Sequence, residues 1–133
     1  MAALDTNVLV RFLVQDDPAQ SALAHSLIHD ALQAGETLYL PVTVVLELEW
    51  VLRAAYRFSK EQVTVALSRL LAATELSFGS ESAVEVALAL YQKSSADFAD
   101  CLHIALAHAA GKSPLWTLDR GASKVDGARL LTA

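Results

Sequence analysis

Apolar residues in this chain follow two periodicities that alternate along its length. Short runs such as TLYL (Thr37–Leu40) and ELSF (Glu75–Phe78) are typical of β-strands, whereas Thr43–Tyr56 repeats its apolar residues at helical spacing. Ala2–Leu4 is a short apolar lead-in whose alanines make it a weak strand by propensity. The pattern therefore predicts strands separated by helices.

Capping residues mark where the predicted helices begin and end. Asp17 before Pro18 indicates an N-cap followed by proline at the first helical position, and Gly35 indicates the end of that helix. Two more helices open with the capping-box spacing, Ser59 with Gln62 and Ser82 with Glu85. The other predicted elements are helices over Asn7–Val14, Asp97–Ala110 and Arg120–Lys124, and strands over PLWTL and ARLLT.

Strands that alternate with helices predict an α/β fold, with a central parallel sheet of four to five short strands and helices on both faces. At 133 residues with 54% apolar content, the chain fits one domain spanning residues 1–133. No apolar run approaches the roughly 18 residues of a membrane span. We therefore expect a soluble, cytoplasmic protein. The single cysteine, Cys101, lies in an apolar stretch and is expected to pack as a small hydrophobic residue.

The net charge of −5 argues against a protein that binds nucleic acid through broad electrostatic attraction. The chain has fifteen acidic and ten basic residues. The excess of acidic residues equals the number of acids in four short stretches, which are Asp5, Glu47, Asp97, Asp100 and Asp119. An acidic pocket on an otherwise neutral body suits a divalent cation. The same acidic pocket is equally suited to receive an arginine from a protein partner.

Asp5 and Asp119 each follow a predicted strand. Parallel sheets bind ligands beyond the carboxyl ends of their strands, so we expect both carboxylates along the same rim. Taken singly, each aspartate also fits an ordinary turn, because Asp5 precedes Thr6 and Asp119 precedes Arg120 and Gly121.

Two glutamates lie on the helix predicted over Thr43–Tyr56. Glu49 has Arg53 four residues on, which predicts a solvated ion pair. Glu47 has no cation at helical spacing, so we expect it on the apolar face, where a ligand or metal explains a carboxylate better than packing does.

Asp97 and Asp100 stand one turn apart at the start of a predicted helix. Asp97 fits an N-cap as well as a ligand, whereas the neighbours of Asp100 favour a site role. His25 and His29 have the spacing of a helical zinc pair, but HSLIH lacks a glutamate and a third ligand, so we interpret it as an ordinary helix face.

The acidic residues lie in four blocks of sequence, DTNVLVRFL, VVLELEWVL, DFADCLHIALA and TLDRG. These blocks resemble the signature blocks of PIN-domain nucleases, and more closely those of VapC-type toxins from bacterial toxin–antitoxin pairs. They occur in the same order over essentially the whole chain.

The resemblance implies a single PIN-like domain with a catalytic quartet, Asp5, Glu47, Asp100 and Asp119. Asp97 matches an additional acid, so the implied metal ligands are Asp5, Asp97, Asp100 and Asp119, and the implied supporting residues are Thr6, Asn7 and Thr117. It also implies Mg²⁺ or Mn²⁺ dependence, cleavage of structured RNA, a homodimer, and a protein antitoxin that occludes the acidic site. Arg11 and Arg120 lie next to the predicted rim and are candidates to hold a substrate phosphate, with ordinary surface charge as the alternative.

Two other functions fit an α/β fold with an acidic rim. A phosphatase of the haloacid dehalogenase type wants a second aspartate two residues after the first, where this chain has Asn7, and a receiver module wants a lysine that we cannot place. A non-catalytic PIN-fold module that docks RNA or protein is the stronger alternative. The presence of all four acids disfavours it.

Overall fold

Seven helices and five short parallel strands make up the α/β structure of this protein, which the computed structural model describes over residues 2–133. This confirms the predicted fold class. The chain divides into two compact units, one ending at Gly79 and the other beginning at Ser80. Across residues 2–133, no helix is both long and apolar enough to cross a membrane.

The first unit places a three-stranded parallel sheet among four helices. Its strands lie in the order β1, β2, β3, with Ala2 opposite Leu38 and Leu38 opposite Leu76. The elements are β1 (Ala2–Ala3), α1 (Thr6–Leu13), α2 (Pro18–Ala34), β2 (Leu38–Leu40), α3 (Val42–Ala54), α4 (Lys60–Ala72) and β3 (Leu76–Phe78).

The middle strand of this sheet alternates between core and solvent. Leu38 and Leu40 of β2 are buried, while Tyr39 between them is exposed. Leu9 of α1 and Leu48 of α3 are fully buried, so both helices supply side chains to the core of this unit. Burial of such side chains is the main stabilising contribution, about 1.5–3 kcal/mol each.

The second unit pairs two long helices with a two-stranded parallel sheet. Its core includes Tyr91 and Phe98, whose rings meet edge to face at a centroid distance of 5.6 Å, and the fully buried Cys101. The elements are α5 (Glu81–Lys93), α6 (Phe98–Ala109), β4 (Leu115–Thr117), α7 (Arg120–Ser123) and β5 (Ala128–Leu130). Over residues 2–133 the strands are therefore hydrogen-bonded as one sheet of three and one of two, and not as the single sheet of four to five strands that the sequence predicts.

Most of the predicted caps are confirmed. Asp17 caps α2 by accepting a hydrogen bond from the Gln20 amide, Gly35 ends that helix in the left-handed conformation, and Ser59 forms its capping box. The capping box predicted at Ser82 is wrong, because Ser80 is the N-cap of α5 and Ser82 already lies in the first turn. A residue with helical backbone angles cannot serve as the N-cap, which needs a non-helical conformation.

Candidate functional site

Asp5 stands at the junction between β1 and α1, as predicted for a residue just beyond the carboxyl end of a strand. It is the N-cap of α1, and its Oδ1 accepts a hydrogen bond of 2.7 Å from the backbone N–H of Thr6. The side chain is exposed, and only one oxygen is used by this cap. The other oxygen can therefore face a ligand while the cap fixes the rotamer.

The Thr6 side chain connects this junction to α3. Thr6 is 3% exposed, and its hydroxyl donates a hydrogen bond to Oε1 of Glu47. A buried hydroxyl with a fixed acceptor holds that carboxylate in one orientation. Asp5 and Glu47, which are far apart in sequence, are thus connected through successive groups of one threonine.

The predicted environments of Glu47, on the apolar helix face, and of Glu49, in a solvated ion pair, are both wrong. Glu47 is exposed, whereas Glu49 is 2% exposed and accepts a hydrogen bond of 2.9 Å from Nε of Arg53. The predicted pairing of Glu49 with Arg53 is confirmed, but the pair is not solvated at the carboxylate end. An ion-pair partner at helical spacing does not tell which helix face packs into the core, and here the paired glutamate is the buried one.

A second acidic group lies in the other unit and contains Asp97, Asp100 and Asp119. Burial raises the pKa of Asp100 above its ordinary value, and the negative charges of Asp119 and then Asp97 raise it further, against a small opposing effect of His103. Asp119 and Asp97 therefore both lie close enough to Asp100 for their charges to act on its carboxylate. Such an arrangement favours a cation or a shared proton.

Asp97 is the N-cap of α6 by position, yet its side chain makes no capping hydrogen bond. The alternative interpretation of Asp97 as a structural cap therefore lacks the contact that would support it. Its exposed carboxylate remains available to a ligand.

Asp119 is held at both its backbone and its side chain. Its backbone N–H donates to the Thr117 hydroxyl at 3.0 Å, and its Oδ1 accepts from the Ala122 N–H at 2.9 Å as the N-cap of α7. A Cβ at the position of Gly121 would lie 3.2 Å from that same oxygen, so a small residue leaves room for this rotamer. Thr117 thus has a contact that fits the supporting role inferred from the sequence.

The donor chemistry of both acidic groups fits a hard divalent cation, since carboxylate oxygens are the ligands that Mg²⁺ and Mn²⁺ prefer. Within residues 2–133, no group of three or more His, Cys, Asp or Glu side chains is arranged to hold a metal ion. Mg²⁺ is usually bound through one or two carboxylates and keeps several waters, so the donor set still fits it.

The two candidate phosphate-binding arginines differ in their surroundings. The guanidinium of Arg11 hydrogen-bonds Asp16, Gln20 and the Tyr56 hydroxyl. The hydrogen bond to Tyr56 and the charge of Asp16 raise the pKa of Arg11. Because Nε and Nη1 are already used and Asp16 neutralises its charge, Arg11 is a poor candidate for a substrate phosphate. This network could not be predicted from local sequence, since Tyr56 lies far along the chain from Arg11.

Arg120 opens α7 directly after Asp119, and its side chain is exposed. Because its side chain is exposed, Arg120 is a better candidate than Arg11 to bind a phosphate. Asn7 is also exposed, on the first turn of α1. His25 packs on the ring of Phe12 at a centroid distance of 4.5 Å and hydrogen-bonds the Phe12 carbonyl, which agrees with its interpretation as part of an ordinary helix face.

Comparison with known proteins extends these observations. Residues 2–128 match the model of the family described as PIN domain. A curated protein from Aquifex aeolicus (strain VF5), named VapC ribonuclease, is 28% identical over 102 residues, which cover 77% of this chain and 75% of that protein.

Proposed function

Because this chain belongs to the PIN-domain family, we propose that it is a metal-dependent endoribonuclease with Asp5, Glu47, Asp100 and Asp119 as its catalytic carboxylates. The family match, which covers nearly the whole chain, is joined by the similarity to a VapC ribonuclease. The observation that carries the proposal furthest is that Asp119 and Asp97 both lie close enough to Asp100 to act on it electrostatically, because packing alone gives no reason to gather these charges.

When bound, Mg²⁺ or Mn²⁺ supplies a Lewis acid that lowers the pKa of a coordinated water and stabilises charge on the phosphate. Asp5, Asp97, Asp100 and Asp119 are the proposed ligands. The first and last of these are already oriented by capping hydrogen bonds.

The remaining roles in the proposed reaction belong to side chains of this protein. The hydroxyl of Thr6 orients the Glu47 carboxylate, and Thr117 orients the turn that carries Asp119. Asp100 and Glu47 are the carboxylates proposed to take the proton of the attacking water. Arg120 is the proposed contact for a substrate phosphate. Asn7 is a proposed supporting residue.

We also propose a biological setting for this activity, in which the chain is the toxin of a toxin–antitoxin pair. Its substrate is then a structured RNA, its partner an antitoxin that occludes the acidic residues, and its assembly a homodimer. The similarity to a VapC ribonuclease supports this setting. Growth arrest on expression, relieved by Asp5→Asn or by the product of a neighbouring small gene, is the expected result.

The decisive experiment compares cleavage of end-labelled total RNA by the wild type, Asp5→Asn and Asp30→Asn, with Mg²⁺ or Mn²⁺ and with excess EDTA. Asparagine keeps the oxygen that caps α1 and removes only the charge, so Asp5→Asn should stay folded and lose cleavage. Asp30 is an exposed acid on α2 outside both acidic groups, and its asparagine variant should cut normally.

Full activity of Asp5→Asn, or of the wild type in EDTA, contradicts the metal mechanism. RNA binding by the wild type without any discrete cut supports the non-catalytic binding module instead.

A further inference from the structure

Strands β4 and β5 present a solvent-facing surface that the catalytic proposal does not use. In each strand the outer residues are half-buried and the central one is exposed. The central residues, Trp116 and Arg129, are direct partners in the parallel register. Both therefore point away from the core on the same face of this small sheet.

Trp116 is 56% exposed, and the Arg129 guanidinium carbon lies 5.5 Å from its ring centroid. A cation over an indole ring restricts the rotamers of both side chains. Leu118 and Leu131, each two residues further along, are also exposed and extend the surface. The indole of Trp116 is therefore a flat apolar surface with a restricted orientation, and much of it is in contact with water.

The charge of this part of the chain has the opposite sign from the rest. Residues 112–133 contain four basic and two acidic residues, a net charge of +2, whereas residues 1–111 contain six basic and thirteen acidic residues, a net charge of −7. The basic residues are Lys112, Arg120, Lys124 and Arg129, and all four are exposed.

We propose that the face formed by Trp116 and Arg129 is a stacking platform for an unpaired base of RNA, with Lys112 and Lys124 contacting neighbouring phosphates. This deepens the proposed function and rests on it. Stacking on an aromatic ring beside basic side chains is the general way in which proteins hold single-stranded nucleic acid. Exposed Leu118 and Leu131 alone would suit a protein partner equally, but the local positive charge in an acidic chain favours a polyanion.

The two tryptophans of the chain allow a direct test. Trp50→Phe leaves Trp116 as the only indole, and Trp116→Phe leaves Trp50, which is 58% exposed on α3 and so serves as a matched reporter. Each variant is titrated with oligouridine in EDTA, so that no cleavage interferes. The emission of Trp116 should be quenched on binding, and that of Trp50 should not.

Affinity is measured in the same buffer from the anisotropy of labelled oligouridine. Trp116→Ala should weaken binding about tenfold, within the range for loss of one stacked base, and Trp116→Phe should keep most of the affinity. Trp50→Ala should bind like the wild type. Lys112→Gln and Lys124→Gln should each reduce the salt dependence of binding by about 0.7 in log–log slope, the value for one phosphate contact on a single strand.

Several results would overturn the platform. These are an unquenched Trp116, equal affinities of Trp116→Ala and the wild type, and quenching of Trp50 in its place. A shift of Trp116→Ala to a smaller sedimenting species with unchanged RNA affinity would show a protein interface instead.

The outcome is separable from the nuclease proposal. Metal-dependent cleavage with no effect of Trp116 on binding rejects the platform alone, whereas binding through Trp116 without any cleavage rejects the nuclease alone.

Discussion

The hydroxyl of Thr6 donates a hydrogen bond to a carboxylate oxygen of Glu47 and so links the start of α1 to the middle of α3. Thr6→Val keeps the shape of the side chain but removes the donor. We expect cleavage to fall about tenfold, since loss of a group that orients a metal-site carboxylate typically costs 10- to 100-fold. Initial rates of RNA cleavage measure this, and Thr6→Ser should retain most of the activity. Equal loss in both variants would indicate a packing role.

Asp119 combines a negative charge with a helix cap, and the two roles can be separated by substitution. Asp119→Asn keeps an oxygen for the Ala122 N–H and should lose cleavage with little change in stability. Asp119→Ala should lose cleavage and also about 1 kcal/mol of unfolding free energy, the usual value of an N-cap. Urea unfolding together with the cleavage assay tests both. Equal stability of the two variants would contradict the capping contribution.

The raised pKa of Asp100 predicts a particular pH dependence of stability. Its folded pKa lies above its unfolded value, near 3.8, so the folded protein keeps this proton to a higher pH than the unfolded chain does. As pH rises from that ordinary value through the raised one, the free energy of unfolding should fall. Asp100→Asn cannot titrate at this position.

The Asp100→Asn variant should therefore be more stable than the wild type at neutral pH and should show a flatter profile over that interval. Urea unfolding at a series of pH values measures this. The same slope in both proteins would contradict our assignment, and Asp30→Asn serves as the control for removal of an exposed acid.

Divalent cations should stabilise the folded protein independently of any activity. A ligand that binds only the folded state raises the unfolding free energy in proportion to the logarithm of its concentration above Kd. We expect Mg²⁺ and Mn²⁺ to raise the melting temperature of the wild type, and to do so less for Asp5→Asn and Asp100→Asn. Calorimetry in matched ionic strength of NaCl provides the control. An equal rise in all three proteins would count against these ligands.

Glu49 and Arg53 should matter for stability and not for chemistry. Arg53→Met leaves a buried carboxylate without its neighbouring cation. The expected loss is about 2 kcal/mol, below the 3–5 kcal/mol of a fully buried pair because Arg53 is half exposed. Chemical denaturation measures the loss, and cleavage by the folded fraction should be unchanged. A variant with unchanged stability and impaired cleavage would indicate that Glu49 and Arg53 contribute to the active site.

Local chemistry in the sequence determined much of the structure. The caps at Asp17, Gly35 and Ser59 and the strand that ends before Asp119 could be predicted because each depends only on neighbouring residues. The order of strands and helices follows from two hydrophobic periods, and the same reasoning put Asp5 beyond the end of β1. The sequence by itself therefore determined the fold class and placed Asp5, Asp97 and Asp119 at the ends of elements.

Tertiary packing decided what each of those residues faces. Helical spacing puts Glu47 and Glu49 on different faces of α3, but only the packing of that helix makes Glu49 the buried one. The hydroxyl that donates to Glu47 comes from Thr6, and one hydrogen-bond partner of Arg11 is Tyr56. In each case the two residues are distant in sequence. Contacts of this kind depend on the folded path of the whole chain, which a local pattern of residues does not contain.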